Sequence, residues 1–165
     1  MKHLFYLLFS FSVVFAQVPS VWWVDGANGS DNNDGKSEAT AFQTIQKVFD
    51  SYLLGNYADT VKVKPATYDF SNGYISNLNG KAFVMVGTGG AAQTIFDADG
   101  KNSHFYISIS SEDAIVFDGI TFKNGNHDQN NGGAVSIYGS VIVDFRNSHF
   151  EKNTSGYYGG SCKYW

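Results

Sequence analysis

From Trp22 onward the apolar residues fall into short runs, with Gly, Asn and Asp between them. Thr60-Val61-Lys62-Val63-Lys64 alternates strictly. As a strand it sends Val61 and Val63 inward and Lys62 and Lys64 outward. Pro65 cannot donate to a ladder and ends it. Trp22-Trp23-Val24 and runs rich in Val, Ile, Phe and Tyr predict more strands, at about 74–78, 83–86, 94–96, 104–110, 114–117, 120–122, 134–138, 141–145 and 149–150. Asn79-Gly80, Asp99-Gly100, Asp118-Gly119 and Asn124-Gly125 mark breaks. One segment has another period. Phe42, Ile45, Val48, Phe49 and Tyr52 or Leu53 recur at three and four positions, which predicts one amphipathic helix over 41–54. Thr40 is its expected N-cap and Gly55 its expected stop.

The strands repeat. Phe122-Lys123-Asn124 precedes Gly132-Gly133-Ala134-Val135, and Phe150-Glu151-Lys152-Asn153 precedes Gly159-Gly160-Ser161-Cys162. The Phe residues lie 28 positions apart and the Gly-Gly pairs 27 apart. A period in the twenties predicts stacked coils, each too small to bury its own apolar side chains. The fold class is therefore all-β, a β-solenoid, with the single helix capping the first coil and its strand edge. The Gly-Gly pairs read as tight corners, not as a phosphate cradle. Residues 159–165 match only the opening of 132–139, so the last coil is expected to be truncated, with an open edge near 161–165 that invites self-association.

The first residues read differently. Lys2 and His3 precede an apolar run from Leu4 to Ala16, and Val14-Phe15-Ala16 offers small residues at a cleavage site. Residues 1–16 are expected to be a secretory signal peptide, and 17–165 the β-helix domain, with the cap at 22–58 and the coils at 59–165. No later run is long and apolar enough to predict a transmembrane segment in the mature chain. The formal charge is −4 and Arg146 is the only Arg, which argues against a nucleic-acid partner. Cys162 is the only Cys, so no intrachain disulfide forms.

At this point the chain resembles a family. Val24-Asp25, Asn28-Gly29-Ser30-Asp31, Asn33-Asp34-Gly35, Ala41-Phe42, Thr44-Ile45-Gln46, Asp59-Thr60-Val61, Val63 and Thr67-Tyr68 look like the N-terminal cap of secreted, pectate-lyase-like right-handed parallel β-helix proteins. The two C-terminal units resemble repeats of polymorphic outer-membrane proteins, which combine F-x-x-N with G-G-A-[IV]. Phe150 to Asn153 fits the first element; Gly125 and Ser161 depart from the pattern. The resemblance implies a fold shared by adhesins, surface proteins, and polysaccharide lyases and hydrolases. Fold alone does not choose among them.

Candidate chemistry is sparse. Asp25, Asp31 and Asp34 supply oxygens for a possible Ca²⁺, although the loop lacks the EF-hand order and also reads as a turn-rich connector. Asp97, Asp118 and Asp144 recur at 21 and 26 positions, near one coil each. In lyases of the resembled fold such carboxylates hold Ca²⁺ against a uronate, and a Lys or Arg removes its α-proton. Asp118, Asp144 and Arg146 would then be the catalytic alternative, with Lys123 a further base, against the plainer reading of coil corners. His104, His127 and His149 lack metal-ligand spacing and read as surface residues. Most Tyr and Phe are expected inside; Tyr157-Tyr158, in a polar break, are the candidate ligand-binding pair. Asn28 and Asn153 open N-glycosylation sequons.

The expected function is a secreted or cell-surface module, outer-membrane-associated if bacterial. Its role is adhesin-like binding or structure, with no catalysis in this chain and no cofactor beyond the possible Ca²⁺. Its partner would be an extracellular polysaccharide or a host or cell-surface ligand. The alternative is the N-terminal part of a polysaccharide lyase or hydrolase acting on extracellular acidic polysaccharide.

Overall fold

The computed structural model describes residues 19–50, 59–76, 78, 80–127, 132–156 and 162–164. The signal-peptide segment, the far end of the expected helix with Gly55, and Tyr157-Tyr158 lie outside them.

The chain coils upward in short strands. β1 (Val21–Val24) leads, and α1 (Ile45–Asp50) follows it. The next strands are β2 (Asp59–Val63), β3 (Ala66–Asp69), β4 (Phe83–Gly87), β5 (Thr94–Asp97) and β6 (Phe105–Ser108). Then come β7 (Ile115–Asp118), β8 (Thr121–Lys123), β9 (Asn126–His127) and β10 (Val135–Tyr138). The last coil holds β11 (Val143–Arg146), β12 (His149–Glu151), β13 (Thr154–Ser155) and β14 (Cys162–Tyr164). Each strand pairs in parallel with its counterpart one coil away. The first sheet runs β1-β2-β4-β7-β11, the second β3-β5-β8-β12 and the third β6-β10-β14, with a short β9-β13 ladder. The result is a parallel β-solenoid of about three turns with very little helix.

Register turns sequence spacing into columns. Tyr68, Phe96, Phe122 and Phe150 are successive partners on the second sheet. Trp22, Val61, Met85, Phe117 and Phe145 are successive partners on the first. The two columns face each other, with Phe117 and Phe122 edge to face at 5.4 Å. Phe105 and Ile107 close the interior from the third sheet.

The corners explain where the repeat departs from itself. Asn124 and Lys152 occupy equivalent positions and share a φ of 53°, the left-handed bend of one corner. At the next position, Asn153 reaches back one coil: its Nδ2 donates to the Phe122 carbonyl (2.9 Å) and its Oδ1 accepts from the Gly125 amide (2.7 Å). Gly125 is the counterpart of Asn153, and a Cβ there would collide with the Gly133 carbonyl and crowd Asn153. Neither Gly125 nor Gly133 is among the positive-φ glycines, so it is this close approach, not a left-handed bend, that requires glycine at 125.

The cap forms differently from the sequence expectation. α1 starts at Ile45 rather than after Thr40, because Ala41 and Phe42 are drawn into extended backbone beside β1. The Phe42 amide donates to the Trp23 carbonyl, and the Asp25 amide to the Phe42 carbonyl. Thr40 instead closes a 3₁₀ turn, Glu38–Thr40, capped by Ser37. Thr44 takes over at the helix start, its Oγ1 accepting from the Lys47 amide. Helix residues Ile45, Val48 and Phe49 lie over the first coil, with Phe49 edge-on to Phe83 at 5.3 Å.

His104 corrects another expectation. It is not a surface residue; it is fully buried between Phe70 and Phe122. Its Nε2 lies 2.9 Å from the Phe96 carbonyl, which can only accept, so Nε2 carries the proton. Burial holds its pKa down, from 6.5 to about 4. The unfolded chain therefore binds a proton that the folded chain refuses between those values. Stability present in full above pH 6.5 falls as pH drops toward 4, by on the order of 3 kcal/mol. Thermal unfolding measured across this window should show that loss, and His104→Phe should flatten it. An unchanged slope in the variant would assign the loss to other groups.

Candidate functional site

Strand alternation puts three tyrosines on the outside of the third sheet. In β6, Phe105 and Ile107 point inward, and Tyr106 and Ser108 point out. In β10, Val135 and Ile137 point inward, and Ser136 and Tyr138 lie on the other face. Phe105 pairs with Val135, so Tyr106 and Tyr138 meet diagonally, 5.0 Å between ring centres. An isolated bridge from Ile75 to Phe105 extends this sheet and sets Tyr74 beside Tyr106 at 6.0 Å. The His127 ring stands 6.1 Å from Tyr74. Tyr74 is 38% exposed, and Tyr106 and Tyr138 are half-buried. These tyrosines correct the expectation that most Tyr rings fill the interior, which holds for Tyr68.

Tyr74 also borders a cleft of about 550 Å³ between the cap and the first coil. Tyr68 and Phe70 contribute its apolar floor, and Gln43, Asp69 and Asn72 its polar rim. The walls are fixed. The Tyr68 hydroxyl donates to the Lys64 carbonyl (2.8 Å) and accepts from the Gly26 amide (3.1 Å). Burial pushes its pKa up to about 12. No sequence signal marked this cleft, because its two sides are some thirty residues apart and meet only in the coil.

The three loop carboxylates each hold backbone. Asp25 Oδ1 accepts from the Ala27 and Asn28 amides, and Oδ2 lies 3.0 Å from Lys64 Nζ. Burial raises the Asp25 pKa, but the Asn28 amide, Lys64 and the Ala27 amide outweigh it, and the net shift is downward. Asp31 accepts from the Gln43 and Thr44 amides and from the Thr44 hydroxyl, all within 2.9 Å. Asp34 accepts from the Thr40 hydroxyl (2.6 Å) and the Lys36 amide, which lower its pKa. Among the described residues no three His, Cys, Asp or Glu side chains converge as a metal site.

The carboxylate row does not form as one column. Asp97 belongs to the second sheet, in register with Asp69 and Lys123, and its Oδ2 lies 3.7 Å from Lys123 Nζ. Asp118 and Asp144 belong to the first sheet. Asp118, Asp144 and Arg146 do come together there: Arg146 is the register partner of Asp118, and its Nε donates to Asp144 Oδ2 at 2.8 Å. Asp118 Oδ1 accepts from Asn147 Nδ2.

Compared with protein-family models, curated proteins and solved structures, the chain matches none. No helix among the described residues is long and apolar enough to cross a membrane.

Asp31 joins the loop to the start of α1 through three hydrogen bonds, so Asp31→Ala should lower stability by about 1–3 kcal/mol. Thermal unfolding with and without Ca²⁺ checks this. A Ca²⁺-dependent rise in Tm that the variant loses would make the loop a metal site instead of a backbone clamp.

Proposed function

We propose that this chain is an exported β-solenoid binding module that holds an extended glycan against the row of Tyr74, Tyr106 and Tyr138. The row is the observation that supports this reading. Three rings in contact on an outer face offer a continuous apolar strip edged with hydroxyls. A sugar ring is its complement, with a C–H face and a hydroxyl rim. A solenoid repeats such a face along its axis, which suits an extended ligand. The leader-like segment 1–16 supports export to where such polymers occur. The resemblance of the cap motif to secreted β-helix proteins, and of the repeats to polymorphic outer-membrane proteins, supports an adhesin-like role. Tyr106→Ser should weaken glycan binding about three- to tenfold, read on an immobilised glycan panel, with the circular dichroism spectrum unchanged. Binding that survives both Tyr106→Ser and Tyr138→Ser would remove the row from the site.

A second reading, the N-terminal part of a polysaccharide lyase or hydrolase acting on acidic polysaccharide, draws support from the meeting of Asp118, Asp144 and Arg146. The leading reading expects no unsaturated product when the protein is mixed with pectate, alginate or chondroitin and Ca²⁺. A steady ultraviolet absorbance rise that disappears in Asp118→Asn would replace it with the second.

A further inference from the structure

We infer that the cleft between the cap and the first coil is a subsite for an uncharged sugar at the end of the glycan, an inference that rests on the tyrosine row as the binding surface. Continuity is the first argument. Tyr74 is both the last ring of the row and a wall of the cleft, so a chain lying along the row runs into it. Size is the second: about 550 Å³ lies within the range of small-ligand pockets, and an apolar floor under a few polar groups is their usual build.

Rim chemistry is the third. The carboxamides of Gln43 and Asn72 are exposed and have no hydrogen-bond partner among the described residues. Each can donate and accept at once, as neighbouring sugar hydroxyls also do. The surroundings are fixed beforehand by Asp31 on the Gln43 amide and by Tyr68 between two backbone groups, so little ordering is left to the ligand.

Charge selects the class. Among the described residues no Lys, Arg or His lines the cleft. Asp69 stands at its rim, its acidity raised by the Ser71 hydroxyl and amide. A uronate or sulfated sugar would find no cation in the lining and would face a like charge; Lys101, which acts on Asp69, lies outside the lining and pairs with Asp99. A neutral hexose or an N-acetylhexosamine meets neither penalty.

The full purified protein is titrated calorimetrically with neutral oligosaccharides (cello-, manno- and N-acetylchito-series) and with oligogalacturonate. At least one neutral series should bind, with oligogalacturonate about tenfold weaker or absent. Asn72→Ala and Gln43→Ala should each weaken that neutral ligand about three- to tenfold, the worth of a hydrogen bond. Tyr138→Ser, at the far end of the row, should weaken long oligomers and spare disaccharides. Loss in Tyr106→Ser with no change in either cleft variant would overturn the subsite and leave the row standing. Equal or tighter oligogalacturonate binding would overturn the uncharged class. No binding by any series would overturn both the subsite and the row.

Discussion

The Phe122 ring lies nearly parallel to Phe150, 5.1 Å away, and edge-on to Phe96 at 5.6 Å. An inward ring is covered from two directions: by the ring at the same register one coil away, and by rings that face it across the interior, as Phe117 faces Phe122. Full burial of each aromatic, worth some 1.5–3 kcal/mol, therefore needs its neighbours in register. The short strands, the parallel pairing and the regular corners all serve that alignment. Parallel pairing keeps like above like. Corners with positive φ at Asn124, Asn147 and Lys152 return the chain to the same place after each circuit.

At the beginning of the stack the same need is met by other means. β1 has a partner on one side only, and the polar loop after it returns along the open edge. Trp23 donates to the Gly35 carbonyl and accepts from Phe42, so both kinds of backbone group on that edge are satisfied. Lys64 ties the arrangement to the first coil by bridging Asp25 and Glu38, each at 3.0 Å. Gly35, at φ 67°, has its Cα against the Phe42 ring, where any side chain would collide. The acidic character of the loop is thus bound up with local backbone geometry, and the cleft beside it inherits rigid walls.

Some of this is legible from spacing. Phe122 and Phe150, 28 positions apart, become direct register partners. Val61 and Val63 point inward as their alternation requires. The helix stripe of Ile45, Val48 and Phe49 is buried over the first coil. Other features depend on who sits opposite. Thr40 and Phe42 carry a helical signal, but the free edge of β1 claims the Phe42 backbone first, and Thr40 closes a 3₁₀ turn with Ser37. His104 looks like a surface residue because polarity is all that sequence shows of it, while the fold gives it a carbonyl partner and two aromatic faces. Tyr106 and Phe105 are adjacent aromatics, and a one-residue choice of register decides which faces water. The row of tyrosines and the cleft arise from that choice and from long-range closure, neither of which has a local signature.

Gly125 and Asn153 occupy equivalent places in successive coils yet are not equivalent in shape: one supplies a hole, the other the peg that fills it. Coils joined this way have a fixed sequence of succession. A copy of 149–156 inserted in place of 121–128 would set asparagine beneath asparagine, with no hole to receive the upper one. At this junction the order of the two coils matters as well as their number, because the upper corner fits the lower one and not its own copy.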